Sequence, residues 1–337
     1  MRFPLRLLTG LFVLTCGAWA VVNDHRCEAA QEAAPLIETT DTEQSLQGEY
    51  SGRVRDWYGY VGRAGLQLAA RGDGKFSGTL FLDGLPFDGW DRRNSWEVSG
   101  TLEGERLVLT TADGQSKLRL RAGREFAWLE DAEGRVCAGL SKVRRRSRTL
   151  GAQPPRGVSV LFDGERLEGL EGAKINDAGN LSVGFTTVDP VQDFELHVEF
   201  RLPFEPNEEG QGRGNSGVYI QRRYEVQILD SFASGIEFNG CASLYRQRPP
   251  AVNASLPPGQ WQTYDIHFQA ARWNEAGEKS APARISVWHN GILVHNQVEI
   301  ETKTGAGQPE SPEPLPILFQ DHRNQVEFRN LWIVKPD

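Results

Sequence analysis

The sequence predicts an all-β protein built from two successive antiparallel units, a small barrel-like one and a larger pair of packed sheets. Three observations carry this. The 337 residues include 36 Gly and 18 Pro but a single Met, a balance rich in turn formers. Short β-branched and aromatic runs recur between turn signals at the spacing of about 8 to 12 residues typical of sandwiches and barrels. The gaps between these runs lack sustained helical periodicity, which removes helix bundles and parallel α/β folds. With 39% hydrophobic and 24% charged residues the bulk of the chain is globular, and a net charge of −8 argues against a duplex nucleic-acid partner.

At the N-terminus, Arg2 and Arg6 precede the apolar run Leu7 to Leu14, and Ala18-Trp19-Ala20 supplies the small-x-small pattern of a cleavage site. Residues 1–20 therefore read as a secretory signal peptide, giving an exported protein, periplasmic or extracellular. The run is too short to span about 30 Å of hydrocarbon, so no membrane association is expected beyond the leader. Thr15 and Leu14 are poor matches to the small residues that precede a lipid-modified cysteine, which disfavours an anchor at Cys16. Cleavage leaves Cys27, Cys137 and Cys241, an odd set that allows at most one internal disulfide. No Cys-x-x-Cys or His-x-x-x-His spacing points to zinc or an iron–sulfur cluster.

Residues 21–44 are polar and aperiodic, a tether. Residues 45–148 form the first unit, with strands around Leu66-Gln67-Leu68, Phe76 to Leu82, Trp96-Glu97-Val98, Leu107-Val108-Leu109 and Lys117 to Leu120. Gly72-Asp73-Gly74, Asp83-Gly84, Glu103-Gly104 and Asp113-Gly114 supply the tight turns between them. The basic run Lys142 to Arg148, ahead of Pro154-Pro155, reads as a solvated connector, with residues 149–157 as linker. The second unit, 158–336, carries strand patterns at Phe194 to Leu202, Gly217 to Gln221, Tyr224 to Leu229, Tyr264 to Phe268, Arg284 to His289, Ile292 to His295, Ile317 to Phe319 and Val326 to Val334.

Alternation along these strands assigns faces, because residues two apart point the same way. Val198, Phe200 and Leu202 take the core, leaving His197, Glu199 and Arg201 together on the other side. Val226 and Ile228 likewise leave Glu225 and Gln227 on a polar face, which Asp230 joins only through a β-bulge. Tyr219 falls with Gln221, and Gln320 with His322. Several strands bearing long hydrogen-bonding side chains predict a polar ligand surface rather than an ordinary wet face. Trp288 and Trp332, lying within strands, are expected in the core.

The second unit resembles the 3-keto-disaccharide hydrolase family, whose fold is a concanavalin-A-like jelly roll. The resemblance rests on Leu161-Phe162-Asp163-Gly164, Asp193-Phe194-Glu195-Leu196, Asn215-Ser216-Gly217-Val218-Tyr219, Tyr224-Glu225-Val226-Gln227-Ile228-Leu229-Asp230, Gly259-Gln260-Trp261-Gln262-Thr263-Tyr264, Asn290-Gly291, Gln320-Asp321-His322 and Phe328-Arg329-Asn330, in the family's order. It departs from the pattern at Glu168-Gly169-Leu170, at Cys241 to Tyr245 and at Arg323. The first unit lies outside it.

The resemblance implies cleavage of a glycoside already oxidised at C3. A 3-ketone acidifies the C2 hydrogen, so a base can remove it, the C1 substituent leaves, and water adds back; a base, an enolate stabiliser and an acid are required. Glu225 or His322 is cast as base or acid. Arg201, Asn215 and Gln227 are cast as donors near the oxyanion, and Glu199, Tyr219, Asp230, Gln320 and Asp321 complete the substrate-binding set. A divalent cation on oxygen ligands is a further way to stabilise the enolate. Glu225-x-Gln227-x-x-Asp230 also allows ordinary glycoside hydrolysis, though that route needs two carboxylates. The rival of another class is a non-catalytic sugar-binding module using Trp261, Trp273, Trp288 or Trp332. Convergence of Glu225, Gln227, Arg201 and His322 separates catalysis from binding.

Overall fold

The computed structural model describes residues 39–336. The leader, Cys16, Cys27 and most of the tether lie outside the described residues. The first described element is helix α1 (Thr39–Leu46), which overlaps the end of the stretch read as tether. Leu46 enters the apolar core of the first unit and Glu43 accepts the Gly74 N–H at 2.5 Å, which explains why this end of the segment is ordered against the strands.

Eight strands then close into an antiparallel barrel: β1 (Gly48–Trp57), β2 (Tyr60–Ala70), β3 (Lys75–Leu82), β4 (Ser95–Glu103), β5 (Arg106–Thr111), β6 (Lys117–Arg121), β7 (Phe126–Glu130) and β8 (Val136–Val143). Strand β8 pairs back onto β1, so no edge is left. Inward residues Tyr50, Val54, Leu66, Leu68, Leu80, Leu109, Leu118 and Leu140 fill the interior. This is a packed core rather than a ligand lumen. Trp57 joins it, whereas Tyr58 turns outward.

The second part is a sandwich. Its strands are β9 (Ser159–Phe162), β10 (Leu170–Glu171), β11 (Leu181–Ser182), β12 (Phe185–Thr187), β13 (Phe194–Arg201), β14 (Ser216–Ile220), β15 (Tyr224–Ile228), β16 (Trp261–Gln269), β17 (Arg272–Trp273), β18 (Lys279–Ala281), β19 (Ala283–His289), β20 (Ile292–Ile300), β21 (Leu318–Phe319) and β22 (Glu327–Val334). One sheet runs β10-β12-β21-β14-β15. The other runs β11-β22-β13-β16-β19-β20, with β9 added beside β22. Between them lie Val198 and Phe200 from one sheet and Val218, Val226 and Phe319 from the other. Phe185 stacks on Phe319 at 4.4 Å and meets Phe328 edge-on. The Tyr264 hydroxyl donates to the Gln227 carbonyl at 2.6 Å, tying the two sheets directly beneath the outer face of β15.

Barrel and sandwich belong to one compact unit. The basic run between them is not the free connector its composition indicates. Arg145 pairs with Glu49, whose side chain is 1% exposed, because a buried carboxylate without a cation is costly. Ser147 and Thr149 hydrogen-bond Thr263, and Gly151 N–H donates to Glu199, so the linker is packed along the outside of the larger sheet.

Candidate active site

The outer face of the smaller sheet gathers half of the expected residues. Strands β14 and β15 pair with Gly217 opposite Gln227 and Tyr219 opposite Glu225. With Val218 and Val226 in the core, Tyr219, Glu225 and Gln227 are driven to the other side. Gln320 joins them through its N–H, which donates to the Gly217 carbonyl at 2.9 Å. Asn215 precedes β14 and donates to the Gln211 carbonyl at 2.7 Å. Gln227 donates to the Gln211 side-chain oxygen at 3.0 Å, so one glutamine orients both carboxamides.

Gly217 creates the space for the acid. A Cβ there would stand 2.6 Å from Glu225 Oε1, so the carboxylate lies across a position that only glycine leaves open. Glu225 is 2% exposed, and its Oε2 has no hydrogen-bond partner among the described residues. Burial pushes its pKa from 4.5 up to about 7, against a smaller lowering by the Tyr219 hydroxyl. The same burial, together with the Glu225 charge, holds Tyr219 well above the usual phenol range, so it stays a neutral donor.

Asn215 Oδ1, Gln227 Oε1, Gln320 Oε1 and Ser243 Oγ are likewise buried and unpartnered. Buried polar atoms are normally satisfied, so several free acceptors on and beside one strand pair mark a ligand site. A ligand rich in hydroxyl donors matches them. The edge of β15 is closed by backbone pairing with Ala242 to Tyr245, and Thr304 Oγ1 accepts the Glu225 N–H at 2.6 Å. Gly305 approaches Glu225 Oε2 and Tyr245. Tyr245, the turn at Gly305 and Thr304 were not visible as site elements in the sequence, because they reach Glu225 only through tertiary pairing.

Other expected residues fall elsewhere. Glu199 and Arg201 lie on the outer face of the larger sheet, across the whole core from Glu225. Arg201 donates to Glu327 at 2.6 Å and its guanidinium sits over the Trp261 ring at 4.9 Å, so it is not an oxyanion donor beside Glu225. Glu199 accepts from Arg329, Asn330 and Gly151. Burial alone would raise its carboxyl, but the His197 ring 3.7 Å away and hydrogen bonds from Asn330, Gly151 and Arg329 outweigh it and bring the pKa down to about 2. Asp230 is outside β15 and pairs with Arg213 at 2.5 Å; no bulge returns it to the polar face. Asp321 and His322 are exposed on the turn after β21, with Asp321 accepting the Arg323 N–H. The four-residue convergence is therefore only partial: Glu225 and Gln227 share a face that Arg201 does not.

Trp288 and Trp332 are half-buried on the outer face of the larger sheet rather than in the core. Trp332 stacks on His197 at 5.0 Å and Trp288 packs on His267, so the aromatic faces available to a sugar platform are already in contact with protein. Trp261 is covered by Arg329 at 4.0 Å. Among the described residues no group of three His, Cys, Asp or Glu side chains is arranged to hold a metal ion. Glu225 with the carboxamide oxygens of Asn215, Gln227 and Gln320 is the oxygen-rich alternative.

A two-sheet antiparallel sandwich with an enclosed carboxyl amid free hydrogen-bond acceptors defines a polar-ligand protein of the jelly-roll class. Residues 157–334 match the model of the 3-keto-alpha-glucoside-1,2-lyase-like domain, and the chain belongs to that family. Among solved structures it is similar to a "putative glycosyl hydrolase" from Parabacteroides distasonis at 32% identity, covering 54% of this chain and 85% of that one, with a TM-score of 0.49. A second structure of that description from the same organism is 18% identical over 54% of this chain and 94% of that one, at a TM-score of 0.40. No curated protein matches the chain.

Proposed function

We propose that the sandwich is an exported carbohydrate-active enzyme that cleaves 3-keto-glycosides, with Glu225 handling the C2 proton. The observation that carries this reading is the Glu225 carboxyl, raised to about 7 and left with a free Oε2 among the unpaired oxygens of Asn215, Gln227 and Gln320. A base of that pKa is ionised enough to act near neutrality and basic enough to take an acidified C–H. The C2–H electron pair moves into the C2–C3 bond and the ketone oxygen becomes the enolate. That enolate returns its electrons to expel the C1 substituent, whose oxygen gains a proton. Water then adds at C1 while a proton returns to C2, giving net hydrolysis.

The neutral Tyr219 hydroxyl is the donor beside Glu225 for the developing oxyanion, the role that Arg201 cannot fill from the other sheet. The free carboxamide oxygens accept hydroxyl groups of the sugar and fix the C2–H toward Glu225. Because Glu225 is enclosed, substrate entry requires Tyr245 and the turn around Gly305 to move aside. Direct hydrolysis by a carboxylate pair is less well supported, since Gln227 is not an acid and Asp230 is committed to Arg213.

The test is incubation of the protein with a 3-keto-disaccharide and with its unoxidised parent, with and without EDTA. Release of keto-sugar from the oxidised substrate alone, abolished by Glu225→Gln, supports the elimination route. Cleavage of the parent replaces it with ordinary hydrolysis. Sugar binding without any cleavage replaces it with a lectin-like module. Export is tested by N-terminal sequencing of the mature protein, with a start at Val21 expected.

A further inference from the structure

A cavity of about 740 Å³ lies away from Glu225, between the outer wall of the barrel and loops of the sandwich. Its volume is that of a site for a ligand of several rings. The wall is the outward face of β3 and β4, where Thr79 stands opposite Glu97 and Ser77 opposite Ser99. Thr79, Glu97 and Ser99 make no side-chain hydrogen bond to another described residue. Above them the loop between β3 and β4 holds Trp90, fixed edge-on against Phe81 at 4.8 Å and by its indole N–H to the Asn94 carbonyl. Phe87 is 41% exposed on the same loop, and Ile236, 51% exposed, faces the cavity from the sandwich. Phe87 and Ala233, both in the lining, have φ of 64° and 56°, conformations that cost energy in non-glycine residues and are kept where the surrounding structure demands them.

Such a lining alternates aromatic planes with hydroxyl and carboxylate groups. A saccharide has the same character, with apolar C–H faces and a rim of hydroxyls, whereas an acyl chain would leave Glu97 and the hydroxyls without partners. The cavity shares part of its lining with a second one. Ser234 and Gly235 line both, and the second, of about 300 Å³, has Gly210 in its walls, next to the Gln211 that orients Asn215 and Gln227.

We infer that this cleft is an accessory subsite for an oligosaccharide chain, with Trp90 and Phe87 as stacking planes and Glu97 as hydroxyl acceptor. The inference rests on the proposed reaction, and glucose units are chosen because the matching family is described by a glucoside. The test titrates the full chain with maltose, maltohexaose, cellobiose and cellohexaose, by calorimetry and tryptophan fluorescence. At least one hexaose is expected to bind ten-fold or more tightly than its disaccharide. Trp90→Ala and Glu97→Gln are each expected to weaken that binding at least ten-fold while turnover of a 3-keto-disaccharide stays unchanged. Phe87→Ala, on an exposed side chain, supplies the same test should the Trp90 variant fail to fold. Glu225→Gln should leave hexaose binding intact, so failure of the catalytic reading and failure of this one are separable. Absence of chain-length dependence, or hexaose binding indifferent to Trp90, Phe87 and Glu97, overturns the inference.

Discussion

At Gly217 the missing side chain decides where a proton can be held. Glu225 folds its carboxyl over that glycine and leaves water, and the resulting rise to about 7 has two measurable consequences. As a base, Glu225 must be ionised, so kcat/KM for a 3-keto-disaccharide is expected to climb with pH through about 7. Glu225→Gln is expected to cost roughly 100-fold or more in kcat. For stability the sign is opposite. The folded state holds the proton between 4.5 and about 7, so stability falls as pH rises through that window and the full penalty, roughly 3 kcal/mol, is present above it. Glu225→Gln should therefore melt higher than the parent at pH 8 and similarly to it at pH 4. Gly217→Ala would press a methyl into Oε1, and a loss of turnover much larger than the fall in melting temperature is the result to look for.

Strand β13 shows how one element serves two environments. Its inward residues Leu196, Val198 and Phe200 build the core, and its outward residues His197 and Glu199 are 0% and 1% exposed because the 147–152 segment and β22 cover them. A register shift between His197 and Glu199 in the pairing with β22, with Asn330 at φ 46°, lets Asn330 reach the Glu199 carboxylate at 2.9 Å. His197 pairs with Asp265 at 2.6 Å. Burial opposes its charged form, but Asp265 and Glu199 raise its pKa overall. Stability from Glu199 is present above 4.5 and lost as pH falls toward about 2. That from His197 is present below 6.5 and lost as pH rises through its raised value. Thermal melts between pH 4 and pH 2.5 should decline for the parent and decline less for Glu199→Gln, which starts about 1–3 kcal/mol less stable at pH 6.

Over the whole molecule, barrel and sandwich are joined by groups that neither could satisfy alone. Arg213, 3% exposed, donates to Asp230 and, at 3.0 Å, to the Ala70 carbonyl at the end of β2. The segment after the barrel adds Ser147 and Thr149, which hydrogen-bond Thr263 of the sandwich. Removing one partner of the buried Arg213–Asp230 pair leaves the other charge uncompensated, so Arg213→Ala is expected to lose about 3–5 kcal/mol. If the two parts unfold together, calorimetry of the parent gives a single transition, and Arg213→Ala should split or broaden it. The interface also shapes the 740 Å³ cleft, so loosening it should weaken oligosaccharide binding before it affects Glu225.

Much of this was legible in the order of residues. Period-two alternation marked β3, β5, β13, β15 and β22 and sent Glu225 and Gln227 to one polar face, because a strand has only two sides; the β14–β15 register added Tyr219. The motifs from Leu161 to Asn330 identified the family, since they mark turns and strand positions on which the sandwich depends. Alternation cannot say which sheet a strand joins or what covers its outer face. Hence Glu199 and Arg201 looked like companions of Glu225 although the core separates them, and Trp288 and Trp332 looked buried in the core although they pack outside it. Asp230 looked like part of the substrate-binding set until Arg213 claimed it. Local spacing by itself determined the strands and their polar faces; the pairing of distant segments decided which of those faces became a site, because burial, and with it the pKa of Glu225, exists only once those segments close over one another.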